Sequence, residues 1–155
     1  MESKMNSKLH ILFLDEAFNQ AQQAGTRGET PVGAVIVYKN AIIGKGGNRT
    51  RELCDPTAHA EIIAIRQACK ILSSERLVDC DLYVTLEPCT LCAAAISFAR
   101  IRRLYFCAID IKGGAVESGV RFFNAPTCHH APDIYGGFRE SEAASLLTEF
   151  FKSRR

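Results

Sequence analysis

Asp81-Leu-Tyr-Val-Thr-Leu-Glu87-Pro88-Cys89-Thr-Leu-Cys92 reads as a β-strand that runs straight into the start of a helix. Residues 81–87 carry β-branched and aromatic side chains suited to a pleated surface. Pro88 suits the first position of a helix, where a missing N–H costs nothing. The helix is expected to continue to about Arg100. Ligand sites in open α/β sheets lie beyond the carboxyl ends of strands, so this junction is a natural place for chemistry.

The rest of the chain extends the same alternation. Leu9 to Ala24 has apolar residues mostly at helical spacing, and Gly25 is a fitting stop. Pro31 to Tyr38 is a β-branched run. Lys39-Asn40 turns the chain, and Ala41-Ile-Ile-Gly44 returns, which predicts a hairpin. A helix follows from about His59 to Leu72. Arg103 to Ile109 is a further strand, residues 112 to 133 are mostly loop, and Ile134-Tyr135 is a short last strand. Glu140 to Lys152 closes as a helix with Ala143, Leu146, Leu147 and Phe150 on one face. Strands alternating with helices after an opening hairpin predict an α/β fold, a mixed sheet covered by helices on both sides.

Composition narrows the class. The 155 residues are 47% hydrophobic and 23% charged, ordinary for one globular domain spanning 1–155 and unlike a disordered chain or coiled coil. The longest stretch free of charge, Pro88 to Ala99, has 12 residues. A membrane helix needs roughly 20, so no membrane span is expected. The net charge of +2 is too small to choose a partner. Seven cysteines, an odd count without a secretory signal, fit free thiols in a reducing, cytoplasmic setting.

Only Cys89 and Cys92 have ligand spacing. A closed zinc ribbon normally has a second such pair, so any metal held here takes its other ligands from histidine or carboxylate. Thr57-Ala-His59-Ala-Glu61 is the other informative stretch, again at a helix start. If both helix starts face one point, one imidazole and two thiolates meet there, a set that suits zinc and leaves a fourth position open. Glu61 lies about 200° around a regular helix from His59. It therefore suits a proton carrier beside the metal better than a ligand. Each motif alone has a plainer reading. A lone His-x-Glu is usually a helix start with a capping carboxylate, and a lone Cys-x-x-Cys is redox-active, metal-binding or simply packed. The other five cysteines read as small core residues or incidental thiols. His129-His130 reads as a solvent-facing or hydrogen-bonded loop pair before a second metal site.

Taken together, His-x-Glu and Pro-Cys-x-x-Cys are the known signature of zinc nucleobase deaminases. The chain resembles the bacterial tRNA-specific adenosine deaminases of the cytidine-deaminase-like superfamily from about residue 11 to the C-terminus. The matching stretches include Pro31 to Val37, Gly46-Gly-Asn48-Arg49, Asp55 to Ile62, Leu82 to Cys89, Ala99 to Phe106 and Phe150-Phe-Lys-Ser-Arg-Arg155. The zinc motif is shared by the whole superfamily. The Asp110-Ile-Lys112 segment and the Phe-Phe…Arg-Arg ending are more particular to the tRNA branch.

This resemblance implies a three-layer α/β/α fold with a mixed five-stranded sheet. It implies one Zn2+ per chain on His59, Cys89 and Cys92, with Glu61 as proton shuttle. Asn48 is then a hydrogen-bond partner of the target nucleoside, Val32 a pocket wall and Asp110 a contact beside the target base. The implied reaction is deamination of adenosine to inosine at the tRNA wobble position, by attack of zinc-bound hydroxide at C6 with release of ammonia. The implied partners are a tRNA anticodon stem-loop and a second copy of the chain. Leu91 and Ala94 depart from the family's usual Met and Gly, both modest apolar changes. Lys112, Phe151, Lys152, Arg154 and Arg155 are candidate RNA contacts, pairing an aromatic surface with positive charge. Two alternatives stand beside this reading. One is a deaminase of a free base or nucleoside of guanine or cytosine type. The other is a zinc-stabilised RNA-binding module without catalysis.

Overall fold

The computed structural model describes residues 2–154, with side chains from residue 7 onward. Helix α1 spans Glu2–Thr26, strand β1 Gly33–Tyr38, β2 Ala41–Gly47, helix α2 Ala60–Leu72, β3 Cys80–Leu86, α3 Thr90–Phe98, β4 Arg103–Ala108, β5 Asp133–Tyr135 and α4 Glu140–Lys152. The five strands form one sheet in the order β2-β1-β3-β4-β5. The β1 strand pairs antiparallel with β2 and β3, whereas β3–β4 and β4–β5 are parallel. The sheet is mixed and five-stranded, as the expected fold requires.

Alternation along the central strands builds two cores. Ala34, Ile36, Leu82, Val84, Leu104 and Phe106 face Ala60, Ala64 and Ala68 of α2 and Ile96 of α3. Val35, Val37, Tyr83, Tyr105 and Cys107 face Phe13, Leu14 and Phe18 of α1 and Ala143 of α4. Helices thus cover both faces, and the central strands are buried on both sides. Truncating a fully buried aromatic such as Phe106 costs about 3–5 kcal/mol in such a core.

Several boundaries differ from the sequence reading. The first helix begins before Leu9, and β2 runs past Gly44 to Gly47. Gly44 and Gly46 are places of close approach within the strand. A Cβ on Gly44 would lie 2.3 Å from the Ala64 carbonyl oxygen, and one on Gly46 2.6 Å from Ile63 Cγ2. Their small size lets α2 settle onto β2. Pro88 is not the first helical residue: Cys89 is the N-cap and the helix starts at Thr90. The same helix ends at Phe98, before Arg100, whose φ of 62° turns the chain toward β4. The loop before β5 contains a short 3-10 turn at Phe122–Asn124.

Candidate active site

Two helix starts define the site. His59 is the N-cap of α2 and Cys89 the N-cap of α3, both with extended backbone and neither with a side-chain capping bond. At most N-caps a short polar side chain folds back onto the helix amides. Here the two side chains turn toward each other instead. His59 Nδ1 lies 3.5 Å from Cys89 Sγ and 3.4 Å from Cys92 Sγ. The three donor atoms all fall within 4.8 Å of one another, and Glu61 is not part of the group. Zinc–sulfur and zinc–nitrogen bonds of about 2.3 and 2.1 Å at a tetrahedral angle place sulfur and nitrogen about 3.6 Å apart. Both distances from the single imidazole nitrogen match that edge, so the donor set and its spacing fit zinc.

Local electrostatics favour a thiolate at Cys89, while the hydrogen bond with Cys89 and burial push the Cys92 thiol up. The Cys89 thiol is pulled down to about 4, first by its hydrogen bond with Cys92 and then by that with His59. The His59 imidazole is raised, chiefly by the Cys89 hydrogen bond. Cys89 sits at a helix N-terminus, which favours its thiolate. Glu61 is buried beside them, and burial pushes its carboxyl up to about 7. A carboxyl that titrates near neutrality can both take and return a proton.

Above the cradle lies a cavity of about 290 Å3 lined by Thr30, Val32, Asn48, Thr50, His59, Glu61, Leu86, Glu87, Cys89, Asp110 and Gly113. Val32, Asn48 and Asp110, three residues widely separated in the chain, therefore share one pocket with the cradle. Val32 is buried, and its carbonyl accepts the Asn48 backbone N–H at 3.2 Å. The Asn48 side-chain amide reaches Thr50 Oγ1 at 3.4 Å. Asp110 Oδ1 accepts the Gly113 N–H at 3.0 Å.

The basic end is arranged differently. A second groove of about 410 Å3 adjoins the pocket through Thr30, Leu86 and Asp110, and Lys112 and Phe151 also line it. Lys152 borders a separate hollow with Leu147, Thr148 and Phe151. Phe150 is half-buried, whereas Phe151 is 52% exposed, which matches the expectation that only one of the pair joins the core stripe. The Arg154 guanidinium lies over the Phe150 ring at 4.0 Å. Arg155 falls outside the described residues.

Other candidate groups are occupied elsewhere. His130 Nε2 bonds the Ile101 carbonyl oxygen at 2.7 Å. Among the described residues no metal-ligand group includes His129 or His130. Cys80 and Cys107 are buried, and burial pushes their thiols up to about 11 and 12, as inert core thiols should behave. Sequence reasoning missed Thr30, Thr50 and Leu86 as lining residues and treated Glu87 only as the end of a strand. The one local signal was a carboxylate placed directly before Pro-Cys.

One imidazole, two thiolates and an adjacent buried carboxyl at the end of a mixed sheet define a zinc-dependent hydrolase of the deaminase type. Residues 7–108 match the cytidine and deoxycytidylate deaminase zinc-binding region. The chain is 64% identical over 143 residues to a tRNA-specific adenosine deaminase of Agrobacterium fabrum, covering 92% of this chain and 94% of that protein. It is 51% identical to a tRNA-specific adenosine deaminase of Rickettsia bellii, over 90% and 98% of the two chains. A solved structure from studies of A-to-I editing by tRNA:A34 deaminases at the wobble position superposes with a TM-score of 0.87. That match has 64% identity and covers 88% of this chain and 99% of the other. The chain belongs to the zinc-binding cytidine and deoxycytidylate deaminase family and, within it, to the tRNA-specific adenosine deaminases.

Proposed function

We propose that this chain is a zinc-dependent hydrolase that converts adenosine to inosine at the wobble position of tRNA. The observation that carries the reading is one pocket holding the His59, Cys89 and Cys92 cradle, the buried Glu61 and the Val32, Asn48 and Asp110 walls. Relatives named for tRNA adenosine deamination at up to 64% identity support the substrate.

His59, Cys89 and Cys92 would hold the metal, and zinc bound there would supply a water acidified to near-neutral pH. Glu61 takes one proton from the attacking water and delivers it to purine N1. It then takes the second proton from the new C6 hydroxyl and passes it to the amine, so that the C6–N bond breaks, ammonia departs and inosine remains. Asn48 hydrogen-bonds the nucleoside, and Val32 packs against the base. An anticodon-loop base can be splayed into such a pocket without opening a duplex. Asp110, Lys112, Phe151, Lys152, Arg154 and Arg155 contact the flanking nucleotides through the adjoining groove and the basic end.

The whole chain, 1–155, acts as one domain, and the active form is a homodimer in the cytoplasm. Helix α3 supports the dimer: Cys92, Ala93 and Ile96 are buried, while Leu91 and Phe98 remain exposed on its outer side, Phe98 at 74%. An apolar helix with an uncovered side favours a partner. Phe98→Glu is expected to leave zinc in place and yield a monomeric mass in solution; an unchanged dimer would exclude this face. No helix among the described residues is long and apolar enough to cross a membrane.

The deciding experiment offers anticodon stem-loop RNA, free adenosine, cytidine and guanine to the zinc-loaded protein and reads products by mass spectrometry. Inosine in the stem-loop is expected. Preferential turnover of a free base or nucleoside would overturn the tRNA reading. RNA binding without any product would indicate the non-catalytic module.

A further inference from the structure

Glu87 is 2% exposed, yet its carboxylate has no part in the proton transfers described above. Oε1 accepts the Asp110 N–H at 2.9 Å and the Ser118 hydroxyl at 3.0 Å. Oε2 accepts the N–H groups of Val116, Glu117 and Ser118 at 3.0, 2.8 and 2.9 Å. All five donors lie on residues 110–118, more than twenty positions further along the chain. Burial would raise this carboxyl, but the backbone bonds from Asp110, Ser118 and Val116 hold it below its ordinary value. Amide dipoles converging on a carboxylate form a strong, directional clamp.

The surrounding backbone closes around the same point. Cys89 and Gly114 form an antiparallel bridge, and the Ala115 N–H donates to the Pro88 carbonyl at 2.9 Å. A Cβ on Gly114 would lie 2.5 Å from Glu87 Cδ, so only glycine lets the loop press onto the carboxylate. Asp110 and Gly113 form one wall of the pocket, and Asp110 and Lys112 also line the adjoining groove. The near end of the clamped segment, residues 110–113, therefore borders both.

We infer that Glu87 is a positioning residue for substrate recognition: by clamping residues 110–118 it holds residues 110–113 as a preformed wall bordering the nucleoside pocket and the groove for flanking nucleotides. The placement of the wall is read from the hydrogen bonds; its consequence for RNA rests on the proposed tRNA deamination. A wall ordered in advance lowers the cost of binding the correct loop. Its loss weakens binding more than it slows chemistry at a correctly seated base.

Glu87→Gln is the near-isosteric test, because its amide NH2 meets N–H donors where a second acceptor is required. Expected results are one zinc per chain, amide hydrogen exchange at Val116, Glu117 and Ser118 accelerated about tenfold or more, and KM for the stem-loop raised roughly tenfold with a smaller fall in kcat. Gly114→Ala, whose Cβ would press on the carboxylate and equally on the Asp110 carbonyl oxygen, should also speed exchange, and wild-type exchange in it carries the refutation if Glu87→Gln does not fold. Wild-type exchange at those amides in Gly114→Ala or in a folded Glu87→Gln would overturn the clamp. So would loss of zinc from both variants, which would assign the carboxylate to the metal cradle. A fall confined to kcat would overturn the recognition role. Failure of the wild-type protein to act on any stem-loop would instead sink the tRNA reading, while the exchange data would still decide the clamp.

Discussion

The metal cradle and the basic C-terminal end both bear charge, yet the fold treats them in opposite ways. At the cradle, three donor atoms come from two helix N-caps and one following turn, and their spacing already matches zinc. The side chains are short and partly or fully buried, so little conformational freedom remains to be lost on binding. At the C-terminus, Lys152 and Arg154 are long, exposed side chains on the last turn of α4 and beyond it. Their charge acts through solvent and is screened by salt. The contrast teaches that the metal cradle is built from preset geometry, whereas the basic end would, under the proposed function, attract RNA through exposed charge. Changes at the first should be catastrophic and changes at the second graded.

Cys89→Ala gives the largest expected effect. Two ligands do not hold zinc as three do, so metal analysis should show near-complete loss together with activity. Full retention of zinc would break the comparison by pointing to another ligand set. Glu61→Ala comes next, with fold and zinc retained and deamination reduced by several orders of magnitude. Deamination within about tenfold of wild type would remove Glu61 from the mechanism.

Deleting residues 153–155 probes the other region. Zinc content and melting temperature should be nearly unchanged, while RNA affinity falls and its salt dependence shrinks by about one to two charges. An unchanged affinity and salt slope would leave this end without a role in RNA binding. Arg154 is the less free of the two cations Lys152 and Arg154, since its guanidinium rests over the Phe150 ring.

The smallest expected effect lies far from both regions. His10 of α1 bonds the Tyr83 hydroxyl through Nδ1, and its ring packs against the stacked Tyr83 and Tyr105. Burial lowers its pKa, opposed by Asp81 and assisted by Arg103. The unfolded chain therefore binds this proton more readily than the folded one, and stability falls as pH drops through about 6.5 toward the lower folded value. Urea midpoints at pH 8 and pH 5.5 should converge more closely in His10→Asn than in wild type. An equal pH dependence in both would dissociate His10 from it.

Much of the site was legible because its signals are local. The spacing Cys89-x-x-Cys92 is local, and the structure gathers both cysteines with His59; His59 and Cys89 do so as N-caps with extended backbone and not from within a helical turn. The central strands were legible because two-sided burial demands continuous apolar runs. The boundaries near Pro88 and Gly44 were not. Proline is tolerated before an N-cap as well as after it, and a glycine at a turn looks the same in sequence as one beneath a helix.

By itself, the sequence determined the alternation of strands and helices and the ligand spacing of Cys89 and Cys92, because periodicity and such spacing are set within a few residues; packing brought His59, 30 positions away, to them. Only the tertiary structure decided how the pocket is closed. Asn48, His59, Glu61 and Asp110 reach one cavity through the order of the strands, and Glu87 meets donors that lie 23 to 31 positions away. Such contacts leave no local pattern in the chain, since their partners are chosen by strand pairing and close packing.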